Sequence, residues 1–419
     1  MNTRRASAGA GELRRSLGMF DAVVIGLGSM IGAGVFAVLA PAASAAGSWL
    51  LPGLALAAAV AYCNATSSAR LAARYPQSGG TYVYGRERLG EFWGFLAGWG
   101  FVVGKTASCA AMALTVGSYV WPTQAHGVAV AAVVAMTAVN CAGVQKAAWL
   151  TRLIVAVALA VLAAVITACS TGSAAVTGHW GPGAGGHGVL RAAGLLFFAF
   201  AGYARIATLG EEVRDPAHVI PRAISTALGI TLVVYVMVAL AVLAVLSPDQ
   251  LARTSAPLAD AVRAAGAPGL APAVRTGAAV AAVGSLLALI LGVSRTTLAM
   301  ARDHHLPKAL AVVHPRSQVP QRAELAVGTV VAVLAATVDV RGAIGFSSFG
   351  VLAYYAVANA SAWTLTPVEG RPPRIVPVLG GSGCLVLAFA LPGTSVLWGA
   401  AVLAFGAAAY GIHRMLAHT

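Results

Sequence analysis

Gly26-Leu27-Gly28-Ser29-Met30-Ile31-Gly32-Ala33-Gly34-Val35-Phe36 is the stretch on which the reading of this chain turns. It lies in a run with no charged residue between Asp21 and Arg70. Runs that long and that apolar span membranes. Yet the middle of this one holds four glycines within nine residues, and each weakens a helix by about 1 kcal/mol relative to alanine. Non-helical backbone at membrane depth persists only where it is buried in protein or lines a cavity. The segment is therefore expected to unwind near its centre and face something polar. A second reading exists for the same residues: Gly28 and Gly32 form a GxxxG pair, which packs helices closely without any ligand. A later apolar run, Leu195-Leu196-Phe197-Phe198-Ala199-Phe200-Ala201-Gly202-Tyr203, has the same interrupted character. Two interrupted spans in matching halves point to a shared central site.

Composition agrees. The chain has 419 residues, 59% hydrophobic and only 10% charged, so it is expected to be a polytopic membrane protein and not a soluble domain. The formal charge of +14 reads as basic cytoplasmic loops, and nucleic acid is not expected as a partner. Cys63, Cys109, Cys141, Cys169 and Cys384 lie in or at the ends of apolar runs with no CxxC spacing. They read as small core residues, with no disulfide or metal framework. No signal peptide is expected.

Apolar periodicity and turn residues place spans at about 21–45, 48–69, 91–121, 127–141, 150–169, 190–210, 224–246, 273–302, 320–338, 344–366, 376–391 and 394–415. The segment 257–265, inside a loop, is expected to form a short surface helix. With the N-terminus inside, cytoplasmic loops and tails hold 19 of the 27 Lys and Arg. Outer loops hold Arg191, Arg253, Arg263, Arg275 and Arg341, which satisfies the positive-inside rule with both termini cytoplasmic. Lys105, Arg205 and Arg295 stay within spans. The interrupted spans are the first and the sixth. An odd separation of five reverses orientation, so 21–170 and 190–366 are expected to be inverted repeats, preceded by a tail at 1–20 and followed by two appended spans at 376–415.

The first span, running inside to outside, would present carbonyls where its first half ends and N–H groups where its second half begins. Ser29, Ile31, Gly32, Ala33 and Gly34 surround that break, and its N–H groups would attract a carboxylate. Carbonyls from Phe198, Ala199, Phe200 and Ala201, beside Gly202, would accept bonds from an ammonium. An α-amino acid carries both groups, whereas a simple amine would leave the N–H end unsatisfied. All 13 Asp and Glu lie in loops or near span ends, which favours neutral or acidic substrates over cationic ones. Lys105, near the middle of the third span, could meet an acidic substrate, act in coupling or hold backbone carbonyls. Arg205 and Arg295 read as structural, with Asp21, Glu211 or Glu212 as partners. Phe198, Phe200 and Tyr203 read either as aromatic gates or as packing.

Gly28-Ser29-Met30-Ile31-Gly32-Ala33-Gly34-Val35-Phe36 resembles the first-helix signature of the amino acid–polyamine–organocation (APC) permeases. Three further stretches agree in order and spacing. The first is Arg74-Tyr75-Pro76-Gln77-Ser78-Gly79-Gly80-Thr81-Tyr82-Val83-Tyr84, with Gly94-Phe95-Leu96-Ala97-Gly98-Trp99. The second is Phe197 to Tyr203 with Glu211-Glu212-Val213-Arg214-Asp215-Pro216. The third runs from Ser294-Arg295 through Met300-Ala301-Arg302-Asp303 to Leu306-Pro307. The resemblance covers nearly the whole chain. It implies an all-α, LeuT-type fold of about 12 transmembrane helices, with a 5+5 inverted repeat and broken first and sixth helices. It also implies alternating-access transport of amino acids or related amines. Two positions depart from the family: Ala204 stands where several members carry an acid, and Ala158 falls where some carry a lysine that replaces sodium.

The expected protein is thus a secondary amino acid transporter of the cytoplasmic membrane, not an enzyme. Its partners are a small-molecule amino acid and the lipid bilayer, with no obligate protein partner. No cofactor is expected, and the coupling ion, proton or sodium, stays open. A polyamine or organic-cation permease and a nutrient sensor that binds without transporting are the alternatives.

Overall fold

The computed structural model describes residues 17–32, 34–76, 79–142, 148–172, 185–207, 213–314 and 319–417. They form α-helices and short 3-10 turns. One isolated bridge, Leu17 with Val213, is the nearest thing to a strand among them.

The first span is two helices, α1 (Met19–Ile31) and α2 (Gly34–Ala46). Gly32 ends α1 with ψ −96°, outside the helical range. Next come α3 (Leu50–Arg74), α4 (Thr81–Leu89), α5 (Glu91–Val120), α6 (Ala125–Cys141) and α7 (Ala148–Thr171). The sixth span begins as α8 (Gly185–Phe200), tightens into a 3-10 turn at Ala201–Tyr203 and resumes as α9 (Ala204–Ala207). The chain continues through α10 (Pro216–Val245), α11 (Pro248–Arg253), α12 (Pro257–Ala264), α13 (Ala271–Arg302) and α14 (Gln321–Thr337). It ends with α15 (Val340–Trp363), α16 (Ile375–Ala390) and α17 (Gly393–Ala417). Both expected interruptions are present. Nine helical runs among the described residues are long and apolar enough to cross a membrane, the longest covering Met19–Arg74. At 17 and 16 residues, α14 and α16 are shorter than those runs.

Between α3 and α5 the chain forms one more helix, α4, which Gly80 starts at φ +57°. The expected short helix forms at Pro257–Ala264, with Asp260 and Arg263 partly exposed and its other face buried. Leu258, Ala259, Ala261 and Val262 are fully buried, and α12 packs on α2, α7, α10 and α13.

Helix packing repeats when the first five spans are exchanged for the next five. The α1–α10 contact is matched by α8–α3, α5–α15 by α13–α7, and α1–α7 by α8–α15. The α2–α8, α3–α10, α5–α13 and α6–α14 contacts map onto themselves. Buried amides tie α16 to this body: the Asn359 side chain donates to Asn64 Oδ1 at 2.6 Å, and Asn64 donates to Cys384 Sγ at 3.2 Å. Outward faces carry large apolar side chains such as Phe389, Leu397, Trp398 and Phe405, all mostly exposed. The chain is an integral membrane protein, and lipid is what such faces meet.

Candidate functional site

The two interruptions touch each other. A side chain at Gly202 would run into the Ser29 carbonyl and the Met30 nitrogen, and one at Gly34 would lie 2.8 Å from the Ala199 backbone. A side chain at Gly32 would overlap Ser285 on α13. None of these three glycines has a positive φ. They are required by close approach, not by a left-handed turn.

Breaking two helices strands backbone carbonyls, and the surrounding helices send donors to them. Ser285 Oγ donates to Gly28 O at 3.0 Å. The Tyr235 hydroxyl, from α10, donates to Met30 O at 2.6 Å and lies 3.1 Å from Ala199 O, so one group bridges the two interruptions. Lys105 Nζ, from α5, donates to Ala201 O at 3.2 Å. Lys105 is only 6% exposed, which makes that carbonyl its bonded anchor in a poorly hydrated place. Ala201 lines the cavity described next, and its carbonyl has a second lone pair that can still accept from a ligand.

A cavity of about 110 Å³ opens where these elements meet. Ser29, Lys105, Phe198, Ala201 and Gly202 line it, with Ser108 and Met112 from α5 and Ser285 and Leu289 from α13. Arg205 and Arg295 also line it, as do Thr296, Ala299 and Gly79 further along. Among the described lining residues there are three cations and no carboxylate. The cavity runs between α5 and α13 toward the arginine-rich end of the bundle.

Among the other expected site residues, Ile31 is buried in the core. Gly32 and Gly34 form the contacts already described, outside the cavity lining. Ala33 lies outside the described residues, as do Glu211 and Glu212. Ala199 faces Gly34, and Phe200 stacks on Tyr235 with ring centroids 5.1 Å apart. Tyr203 packs on Tyr355, also at 5.1 Å. Of the three aromatic residues, Phe198 is the one at the cavity. The cation on Asp21 is Arg152, from α7, at 2.5 Å, not Arg205 or Arg295. Tyr235 and Ser285 were not singled out from sequence: a lone Tyr and a lone Ser in apolar spans carry no motif.

The ends of the bundle differ. At the arginine-rich end, Tyr82 donates to Asp303 at 2.5 Å and Arg86 pairs with Asp303 at 2.8 Å. Arg88 and Arg74 both bond Glu369. The backbone N–H of Thr366, and then Arg88, hold the Glu369 carboxyl down at about 2. Burial, followed by the Asp303 bond, pushes the Tyr82 phenol up. At the opposite end, Tyr119 donates to Phe36 O at 2.9 Å and meets the Phe36 ring edge-on at 6.0 Å. A smaller cavity of about 40 Å³ lies there, lined by Phe36, Tyr119, Thr254 and Arg341 among others.

Comparison with known proteins fits this geometry. Residues 21–370 match the family model described as amino acid permease. A protein named as an uncharacterized transporter of Mycobacterium tuberculosis is 73% identical over 407 residues, covering 97% of this chain and 92% of its own. A branched-chain amino acid permease of Bacillus subtilis is 27% identical, covering 95% of this chain and 88% of its own. Cationic amino acid transporter 4 of Homo sapiens is 29% identical, covering 86% and 61%.

Proposed function

This chain belongs to the amino acid permease family, and from that premise we propose that it is a secondary transporter moving neutral or acidic amino acids across the cytoplasmic membrane by alternating access. The observation that carries this reading is the cavity at the meeting of the two interruptions, with Lys105, Arg205 and Arg295 on its walls and no carboxylate among its described lining residues. A substrate carboxylate is attracted by those cations and by the N–H groups that begin α2. The substrate ammonium takes carbonyl lone pairs at the ends of α1 and α8. A cationic side chain would meet these cations with no carboxylate among the described lining residues to receive it, which disfavours lysine-like substrates and polyamines.

Binding and movement share the same parts. α1, α8 and α9 meet the neighbouring α5 and α13 across the cavity, and rocking one group against the other exposes the site to either side. The cavity reaches toward the arginine-rich end, which the positive-inside rule assigns to the cytoplasm. The Tyr119–Phe36 contact closes the other side. On this reading the conformation faces inward.

The test is a thermal-shift screen of purified protein against the twenty amino acids, putrescine and spermidine, followed by uptake of the stabilising compounds into proteoliposomes. A ligand that binds only the folded state raises its stability by mass action. Stabilisation and uptake of neutral or acidic amino acids is the expected result. Stabilisation by amines alone would overturn the carboxylate–ammonium site.

A further inference from the structure

Glu324 has an environment that its position near a span end did not announce. It lies in the first turn of α14 and is fully buried. Ser294, on α13, donates to Oε1 at 2.7 Å. Oε2 is buried and makes no hydrogen bond of normal geometry. The Asn140 side chain, from α6, and the Arg295 guanidinium, from α13, also act on its charge. Cys141, at the end of α6, and Cys109, on α5, are within electrostatic reach. Both are thiols, neutral near pH 7. Lys105 lies one turn before Cys109, and Arg322, next to Glu324 on α14, is exposed. Arg295 is thus the cation among the groups that act on Glu324 directly.

A buried carboxylate is costly to keep charged unless a cation and hydrogen bonds compensate it. Here one oxygen is compensated by Ser294, the other has no hydrogen-bond partner among the described residues, and Arg295, the residue after Ser294 on α13, is a cation within electrostatic reach. Arg295 also lines the central cavity. As the cavity fills, empties or closes, water and substrate carboxylate compete with Glu324 for the field of that guanidinium. The proton affinity of Glu324 then differs between transport states, and that difference is the thermodynamic requirement for coupling. We infer that Glu324 is the protonation site that links a proton gradient to substrate movement. Its carboxylate takes up one proton in one state of the cycle and releases it in the other. Arg295 is the positioning residue that relays cavity occupancy. This inference rests on the transport reading above and assigns its coupling ion.

Proteoliposomes holding wild type or Glu324→Gln, with radiolabelled leucine and glutamate as probes, separate the two ideas. Counterflow against preloaded unlabelled amino acid needs no gradient and reports transport alone. Accumulation under an imposed inside-alkaline gradient reports coupling. Wild type is expected to show both, while Glu324→Gln keeps counterflow and loses at least about fivefold of the pH-driven accumulation. Arg295→Gln is expected to shift the pH profile of accumulation, and an unshifted profile would remove it from the relay. Undiminished pH-driven accumulation in Glu324→Gln overturns the inference and leaves transport standing. A pH dye trapped in wild-type vesicles adds a check free of any variant: substrate entry must carry protons inward, and substrate entry without proton flux overturns the inference. Absence of wild-type counterflow with both probes overturns the transport reading and this inference with it.

Discussion

The two interruptions solve one problem by different means. The first, between α1 and α2, is made by glycines: Gly32 and Gly34 flank it, and Gly26 and Gly28 lie a turn or two before. The second, between α8 and α9, holds a single glycine, Gly202, among bulky neighbours, and turns through a 3-10 segment. At neither is the glycine needed for its own φ. What differs is the obstacle. Gly32 faces mainly one side chain, Ser285, whose Oγ and Cβ both stand in the way, with the Gly28 carbonyl at 3.0 Å, whereas Gly202 faces the peptide of Ser29 and Met30, which no side-chain substitution removes. Glycine number thus says little about how tightly a break is constrained; the neighbouring atoms decide that.

Substitutions test the difference, beginning with the largest expected effect. Gly202→Leu drives a side chain into the facing backbone and into the cavity, and is expected to abolish ligand-induced stabilisation and counterflow. Gly202→Ala is the milder probe of the same contact, and wild-type affinity in either variant would refute it. Gly32→Ala is expected to cost about 1–3 kcal/mol through overpacking. Because the obstacle is one side chain, adding Ser285→Gly should recover most of that loss in thermal unfolding. Failure of the rescue would show that the first break is as constrained as the second.

Lys105 acts on the second break only. Lys105→Met leaves the Ala201 carbonyl without its charged donor, a loss of about 1.5–3 kcal/mol, and removes a cation from the cavity. Glutamate uptake is expected to fall by about tenfold or more, and leucine uptake by less; equal losses would mean that Lys105 only supports the backbone. Tyr235 serves both breaks. Tyr235→Phe should lower the unfolding free energy by about 1 kcal/mol, with the same sign in Gly32→Ala and Gly202→Ala backgrounds.

The smallest effect lies outside both interruptions. Glu369 is held at about 2, below the ordinary carboxylate range. A depressed carboxylate contributes its stability above its unfolded pKa and loses it as pH falls toward the folded value. The apparent Tm of wild type should therefore decline between about pH 4.5 and pH 2 more steeply than that of Glu369→Gln. Parallel acid limbs would remove Glu369 from the stability of this end.

Much of the architecture was legible in the order of residues. Glycine clustering in an uncharged run located the first break, and charge bias supplied a topology. The site was legible as a place and less so as a set of contacts. Lys105 was visible as a charge inside a span, with three roles open to it; it holds the Ala201 carbonyl and also lines the cavity, so the uptake comparison above is what separates them. Asp21 was expected to meet Arg205 or Arg295 and instead pairs with Arg152, because ion pairs depend on which helix faces which. The helix Pro257–Ala264 was found as a surface helix, and the packing of its apolar face on four helices was not visible in so short a segment. Glu324 passed as an ordinary span-end acid.

By itself, the sequence determined the features that solvent and chain impose directly: apolar spans of membrane length, two points where a helix cannot continue, and an uneven distribution of basic residues among the loops. Those properties are local, because hydrophobicity, glycine content and charge are carried by each segment whatever surrounds it. Only the tertiary structure decided which groups meet. It set Tyr235 across both breaks, Lys105 on the Ala201 carbonyl, and Glu324 out of water behind a cavity wall. Contacts of that kind depend on the packing of helices distant in sequence, where a shift of one helical turn would hand each carbonyl to a different donor.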